Sequence, residues 1–320
     1  MTLTRGAGPV GRLVRLASPG GRTCAAVDLR GGGLHSLTVD GDPLVHTYDP
    51  AEPVPVCSGS VLFPWPNRVR GGRWEHDGTE HQLEVNEPEL GNANHGLLSE
   101  TRYAVASVDT DALRLEAPIE GRAGYPFRLA TAVEYRAVPD GVRVRHEITN
   151  FGDRTAPIAV GAHPYLRIGN AQSRDLEIRV RASAVLDLDE RYIPRGISPV
   201  GAGSDLRDWT PLDDVMRHGC LAALDVSDGR VRHGLRERGG VEVELWADAA
   251  FAYAQLYITD ALPGVGAGDL AVAIEPMTAP PNALRSGIGL TWLEPGEQWA
   301  GEWGIRIASG APEEVDRPVN

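Results

Sequence analysis

The sequence of 320 residues predicts an all-β protein, a β-sandwich or barrel, on three observations. Glycine (38) and proline (24) recur as punctuation between short segments. Those segments alternate apolar and polar residues with the period of two that a half-buried strand requires. Long runs with the helical period are missing. There is no internal repeat and no low-complexity linker, so the expectation is one domain over residues 1–320. Large β folds often reach roughly 200–250 residues as a single unit.

In chain order, Arg12–Ser18 and Thr23–Leu29 read as strands around a Pro19-Gly20-Gly21 turn, and Leu34–Val39 follows, closed by Asp40-Gly41. Gly72–Trp74 and Gln82–Val85 flank a polar turn at Asp77-Gly78. The clearest hairpin is Ala130–Ala137, Pro139-Asp140-Gly141, Val142–Ile148, in which Val142, Val144, His146 and Ile148 make one mostly apolar face. Leu176–Val180, Val241–Trp246, Tyr253–Ile258, Leu270–Ile274 and Trp303–Ile307 complete the predicted strands. Gly201–Asp214 reads as a long irregular connection, and the polar tail Ser309–Asn320, with two prolines, as disordered.

Charge and cysteine content narrow the function classes. The net charge is −13, from 31 basic residues, all arginine, and 44 acidic ones. That balance argues against a nucleic-acid or anionic-membrane partner. Cys24, Cys57 and Cys220 are odd in number and widely spaced, which fits reduced thiols in a cytoplasmic protein. The opening MTLTRGAGPV lacks the apolar core of a signal peptide, and no stretch of eighteen apolar residues occurs.

Four strings carry candidate chemistry. Gly161-Ala162-His163-Pro164-Tyr165-Leu166 sets an imidazole, the side chain that titrates nearest neutrality, between a tight turn and a rigid corner. Pro64-Trp65-Pro66-Asn67-Arg68 is a stiff non-helical segment able to hold an arginine fork still. In Asn94-His95-Gly96 the glycine allows close approach of a ligand to the backbone. Glu275 is expected to emerge at the end of the apolar run Leu270–Ile274, partly desolvated and so raised in pKa. Singly, each reads as readily as structure: His163 as a packed ring, Arg68 as a solvated one, His95 as a loop residue, Glu275 as a strand-end carboxylate. Asp213 and Asp214 are loop carboxylates. Metal-ligand spacings, phosphate loops and Gly-x-Ser-x-Gly are absent, so no metal or cofactor is expected.

Together, from about residue 10 to residue 308, these strings resemble the aldose 1-epimerase (galactose mutarotase) family, in its shorter bacterial branch. The matching motifs are Pro66-Asn67-Arg68, Asn94-His95-Gly96, Ala162-His163-Pro164-Tyr165, Glu275-Pro276 with Pro281-Asn282-Ala283, and the closing Leu293-Glu294-Pro295-Gly296-Glu297 with Trp303-Gly304-Ile305. The resemblance implies a large antiparallel β-sandwich, a supersandwich, with a carbohydrate cleft on a concave face. It implies Glu275 as general base and His163 as general acid, with Arg68, His95, Asn67 and an aspartate, taken as Asp213, around the sugar. The reaction is interconversion of hexose anomers by ring opening and reclosure. It needs an acid and a base of opposed protonation state, Glu⁻ and His⁺ if a neighbouring carboxylate keeps the imidazole charged. Trp65, Tyr165 and Trp246 are candidate stacking aromatics. The partner is a small sugar, and the protein a monomer or homodimer. Three alternatives stay open: a hexose-6-phosphate epimerase using Arg68, Arg70 and Arg73, the same acid–base pair turned to a biosynthetic isomerisation or cyclisation, and a non-catalytic sugar-binding module.

Overall fold

Two antiparallel sheets built from long alternating strands account for most of the structure, a computed structural model that describes residues 12–308. One has nine strands in the order Ala104–Val108, Ala112–Arg122, Tyr125–Val138, Gly141–Asn150, Gln298–Ile307, Glu242–Asp248, Arg230–Glu237, Leu176–Val180 and Thr210–Pro211. The other has eight members, running from Pro194–Pro199 through Ala182–Leu188, His218–Leu224, Tyr253–Thr259 and Ala271–Met277 to short pieces at Gly161–Ala162 and Val61–Leu62, with Tyr165–Leu166 also pairing with Ala271–Met277. Val144, Leu245, Trp303 and Ile305 from the first sheet and Leu221, Leu256, Val272 and Ile274 from the second share one buried apolar cluster. That shared core makes the arrangement a sandwich, as predicted. A four-stranded sheet formed by residues between Leu13 and Pro43 contributes Leu16, Val27 and Leu37 to the same cluster.

Several boundaries differ from the sequence reading for identifiable reasons. Asp77 and Gly78 both take positive φ (48° and 71°), the two-residue turn that suits a tight hairpin, so Thr79–Gln82 rather than Gln82–Val85 pairs with Arg73–His76. Glu275 does not end its strand. Ala271–Met277 runs on through Pro276 and is buried throughout. Gly201–Asp214 is irregular as expected, but Thr210–Pro211 adds a short edge strand before a 3₁₀ turn at Leu212–Asp214. The tail Ser309–Asn320 and the opening ten residues lie outside the described residues. Cys24, Cys57 and Cys220 are all free thiols, and no helix among the described residues is long and apolar enough to cross a membrane.

Candidate active site

Strand alternation in the eight-stranded sheet creates the floor of the site. Ala254, Leu256 and Ile258 face the core, which turns Gln255 and Tyr257 to the opposite face. The register then lines up Cys220, Gln255 and Glu275 in one row across three strands, and His218, Tyr257 and Ala273 in the next. Loops from the rest of the chain wall this patch. The result is a cavity of about 380 Å³ lined by Asn67, Arg68, Glu87, His95, His163, Tyr192, Arg217, His218, Tyr257 and Glu275, among others.

His163 leaves the short strand Gly161–Ala162 and lies stacked on Tyr165, with ring centroids 5.0 Å apart. Its Nε2 is 3.4 Å from Oε1 of Glu275, and both side chains are buried. Glu275 Oε2 and His163 Nδ1 are buried without a hydrogen-bond partner among the described residues, which is costly unless a ligand engages them. Burial pushes the Glu275 carboxyl up to about 8, against the opposing pull of Arg68. Burial likewise lowers His163 to about 4, with Arg68 and His218 adding to it. The short contact would be an ion pair if both were charged, but desolvation of both partners favours carboxylic acid beside neutral imidazole. This differs from the expected Glu⁻/His⁺ pair, because among the described residues Glu275 is the only carboxylate against the ring to hold a charge there.

His95 is fixed through Asn67, whose backbone N–H donates to His95 Nδ1 (3.2 Å) while its carbonyl accepts from the His95 N–H (3.0 Å). A neutral imidazole accepting at Nδ1 carries its proton on Nε2, so His95 offers a donor. Burial, followed by His163 and Arg68, holds its pKa well below the ordinary histidine value. Both Asn67 and His95 sit at positive φ (58° and 60°), and a Cβ on the following Gly96 would lie 2.2 Å from the Phe63 carbonyl oxygen. Close backbone approach, rather than turn-making alone, is what that glycine supplies. The Asn67 carboxamide donates to Gln255 (3.1 Å), tying the loop to the floor.

Arg68 is clamped. Its Nε and Nη2 donate to the Glu87 carboxylate, at 2.8 Å for the closest contact, and its Nη1 is 3.3 Å from Nε2 of His218. The guanidinium also lies 4.8 Å from the centroid of the Tyr192 ring. His218, lowered to about 4 by burial and then by Arg68, therefore accepts at Nε2.

Glu275, His163, His95, Arg68 and Asn67, scattered over more than two hundred residues, thus meet in one cavity. Asp213 does not. With Asp214 it is exposed on the 3₁₀ turn, because Leu212 and Val215 are the residues that turn into the core. The stacking candidates also lie elsewhere. Trp65 is part of the core cluster, and Tyr165 is buried beneath His163. Trp246 lies against Gly304 on the outer face of the nine-stranded sheet, with the Arg230 guanidinium 4.0 Å from its ring centroid. Nor do Arg68, Arg70 and Arg73 converge: they bond to Glu87, Asp189 and Gln82 respectively.

The aromatic walls are instead Tyr192 and Tyr257, and with His218, Glu87 and Arg217 they were missed in the sequence. His218 had a weak signal, sharing the period of two with Cys220 and Ala222 in the apolar run His218–Leu224. Glu87 lay in the acidic loop before His95. Nothing local marked Tyr192.

His95, His163 and Glu275 place potential ligand atoms within 4.8 Å of one another, the one such cluster among the described residues. The Asn67 N–H occupies His95 Nδ1 and leaves the proton on Nε2, so a cation there would have to displace that proton. The set suits proton transfer better than metal binding.

A sequence profile described as aldose 1-epimerase matches residues 12–306. The uncharacterized protein YihR of Escherichia coli K12 is 32% identical over 292 residues, covering 90% of each chain. Galactose mutarotase of Mus musculus is 30% identical over 200 residues, 56% of this chain and 57% of the mouse protein. Among solved structures, the GalM/aldose epimerase homologue of C. elegans superposes with a TM-score of 0.80 at 17% identity, covering 92% of this chain and 98% of that one. A galactose mutarotase-like protein of Clostridium acetobutylicum gives 0.78 at 17% identity, covering 93% and 95%. With a profile match across nearly all the described residues and a sandwich that superposes on its members, the chain belongs to the aldose 1-epimerase family.

Proposed function

We propose that this protein interconverts the α and β anomers of a free hexose, with Glu275 as the base and His163 as the acid. The observation that carries the reading is the buried His163–Glu275 pair, 3.4 Å apart and opening onto a polar cavity of small-molecule size. Glu275 takes the proton from the hydroxyl on carbon 1 while His163 gives one to the ring oxygen. The bond between carbon 1 and the ring oxygen breaks, the aldehyde turns about the bond to carbon 2, and closure on the other face returns both protons.

The proton balance suits this site. Ring opening converts Glu⁻ and His⁺ into carboxylic acid and neutral imidazole, the pair that burial favours. The charged pair that starts the reaction draws its stabilisation from sugar hydroxyls filling the unpartnered Oε2 and Nδ1. Each well-placed proton-transfer group typically contributes about 10²–10⁴-fold in rate. Arg68 and the Nε2–H of His95 are donors for the ring oxygen and neighbouring hydroxyls.

Polarimetry of freshly dissolved α-D-glucose and α-D-galactose tests the reading. Acceleration over the spontaneous rate that disappears in Glu275→Gln supports it. No acceleration by folded wild-type protein overturns it for free hexoses.

A further inference from the structure

The hairpin formed by Ala182–Leu188 and Pro194–Pro199 belongs to the edge of the eight-stranded sheet, yet its tip reaches the cavity. Asp189, whose side chain is 1% exposed, organises the tip. One carboxylate oxygen accepts the backbone N–H groups of Arg191 and Ile193, each at 2.9 Å, and the other binds Arg70 on the segment that carries Arg68. Arg191 in turn donates to the carbonyls of Leu90 and Gly91, and Asn92 donates to the Arg191 carbonyl (3.0 Å) and to Glu87 (3.1 Å). The tip is therefore bolted to the same loop that clamps Arg68.

What this framework presents is Tyr192, held in the left-handed region at φ 58°. Its ring lies 4.0 Å from the ring of His218 and covers the Arg68 guanidinium, while the residue stays 36% exposed at the cavity wall. A non-glycine residue held in that backbone region by so many bonds is placed there by its surroundings. An aromatic face beside a polar cavity is a surface for the C–H face of a pyranose.

We propose that Tyr192, set by Asp189, is a substrate-positioning wall that governs sugar affinity rather than proton transfer. It sits across Arg68 and His218, whereas the acid–base pair is His163 and Glu275. The proposal rests on the mutarotase reading above. It assigns the hairpin tip a task in a cavity to which the rest of the hairpin contributes nothing.

Tyr192→Ala, Tyr192→Phe and Asp189→Asn test it by steady-state mutarotation and melting temperature. The expected result is a roughly tenfold rise in KM for Tyr192→Ala with kcat within about twofold and an unchanged melting temperature. Tyr192→Phe restores KM, and Asp189→Asn raises KM in the same direction. A fall in kcat at unchanged KM, or no change in either constant, overturns the proposal.

A readout without sugar separates this failure from failure of the parent reading. His218 faces Arg68, Tyr192 and Tyr257, with His95 and His163 nearby. In Tyr192→Ala, water reaching its ring should move its titration, followed by NMR, upward toward the ordinary histidine value. Wild-type protein without mutarotation defeats the parent reading alone. A His218 titration that does not move in Tyr192→Ala shows that the ring is no wall and overturns the proposal whatever the activity.

Discussion

At the scale of single residues, the acid–base pair makes the sharpest predictions. His163→Asn and Glu275→Gln each remove one half of the proton exchange, so each should lose most activity while remaining folded. Carboxylic acid with neutral imidazole holds as many protons as carboxylate with imidazolium, so kcat/KM should stay level while the pair holds one proton between them. It should fall above about pH 8, where Glu275 releases that proton. An alkaline limb at an ordinary carboxylate pKa would show that the Glu275 carboxyl is hydrated rather than desolvated. Arg68 is different, because Glu87 depends on it. Arg68→Ala takes away the only cation that pairs, among the described residues, with a largely buried carboxylate that keeps a hydrogen bond from Asn92, at a cost of about 1–3 kcal/mol, and should lower the melting temperature as well as raise KM. Arg68→Ala with Glu87→Gln should recover the melting temperature but not KM, separating the structural task from the binding one.

At the scale of elements, the sequence disclosed the site where a rigid string carried the chemistry and concealed it where only register did. His95 and His163 sit beside Gly96 and Pro164, in strings whose backbone is constrained locally, and both lie in the cavity. Gly96→Ala tests that constraint. The Phe63 backbone blocks a Cβ and φ is 77°, so the loop must shift and carry His95 with it. Activity should fall with stability, whereas Ala at Gly78, where a Cβ meets nothing within 4 Å, should spare activity. His218 reaches the site only because His218–Leu224 pairs with Tyr253–Thr259 in one register, and Tyr192 only because an edge hairpin folds back over it. Neither pairing has a local marker. Two strands of the nine-stranded sheet went unread for a related reason. Ala112–Arg122 and Arg230–Glu237 carry arginine and glutamate on their outer faces, where cross-strand pairs such as Arg114–Glu147 and Arg236–Glu177 hold them. Dense charge in a strand imitates a loop until its partner strand is known.

At the scale of the whole molecule, the buried histidines set a pH dependence that no single one reveals. Burial lowers His46, His146, His163, His218 and His233 to about 4 each, and His95 well below its ordinary value. The unfolded chain titrates all six near 6.5, so between about pH 6.5 and 4 it binds protons that the native state refuses, and stability falls with pH through that window. Glu275 acts the other way. Its raised pKa gives stability that is full below its unfolded value of 4.5 and lost as pH rises through about 8. Between about pH 6.5 and 4.5 these histidines outweigh Glu275, and near pH 9 the raised thiols of Cys57 and Cys220 begin to add to the alkaline loss, so the melting temperature should peak near neutrality and drop steeply on the acid side. His233 isolates the effect. It is 2% exposed, both ring nitrogens lack partners among the described residues, and it lies outside the active site. Replacing it with leucine, of similar bulk and no charge, should add stability at pH 5, at most about 2 kcal/mol for a shift of this size, and much less at pH 8. Glu275→Gln should show the mirror image, gaining melting temperature at pH 9 and little at pH 5. An equal gain at both pH values would mean that packing, not protonation, governs the substituted position, and in Glu275→Gln it would remove the basis for the neutral His163–Glu275 pair.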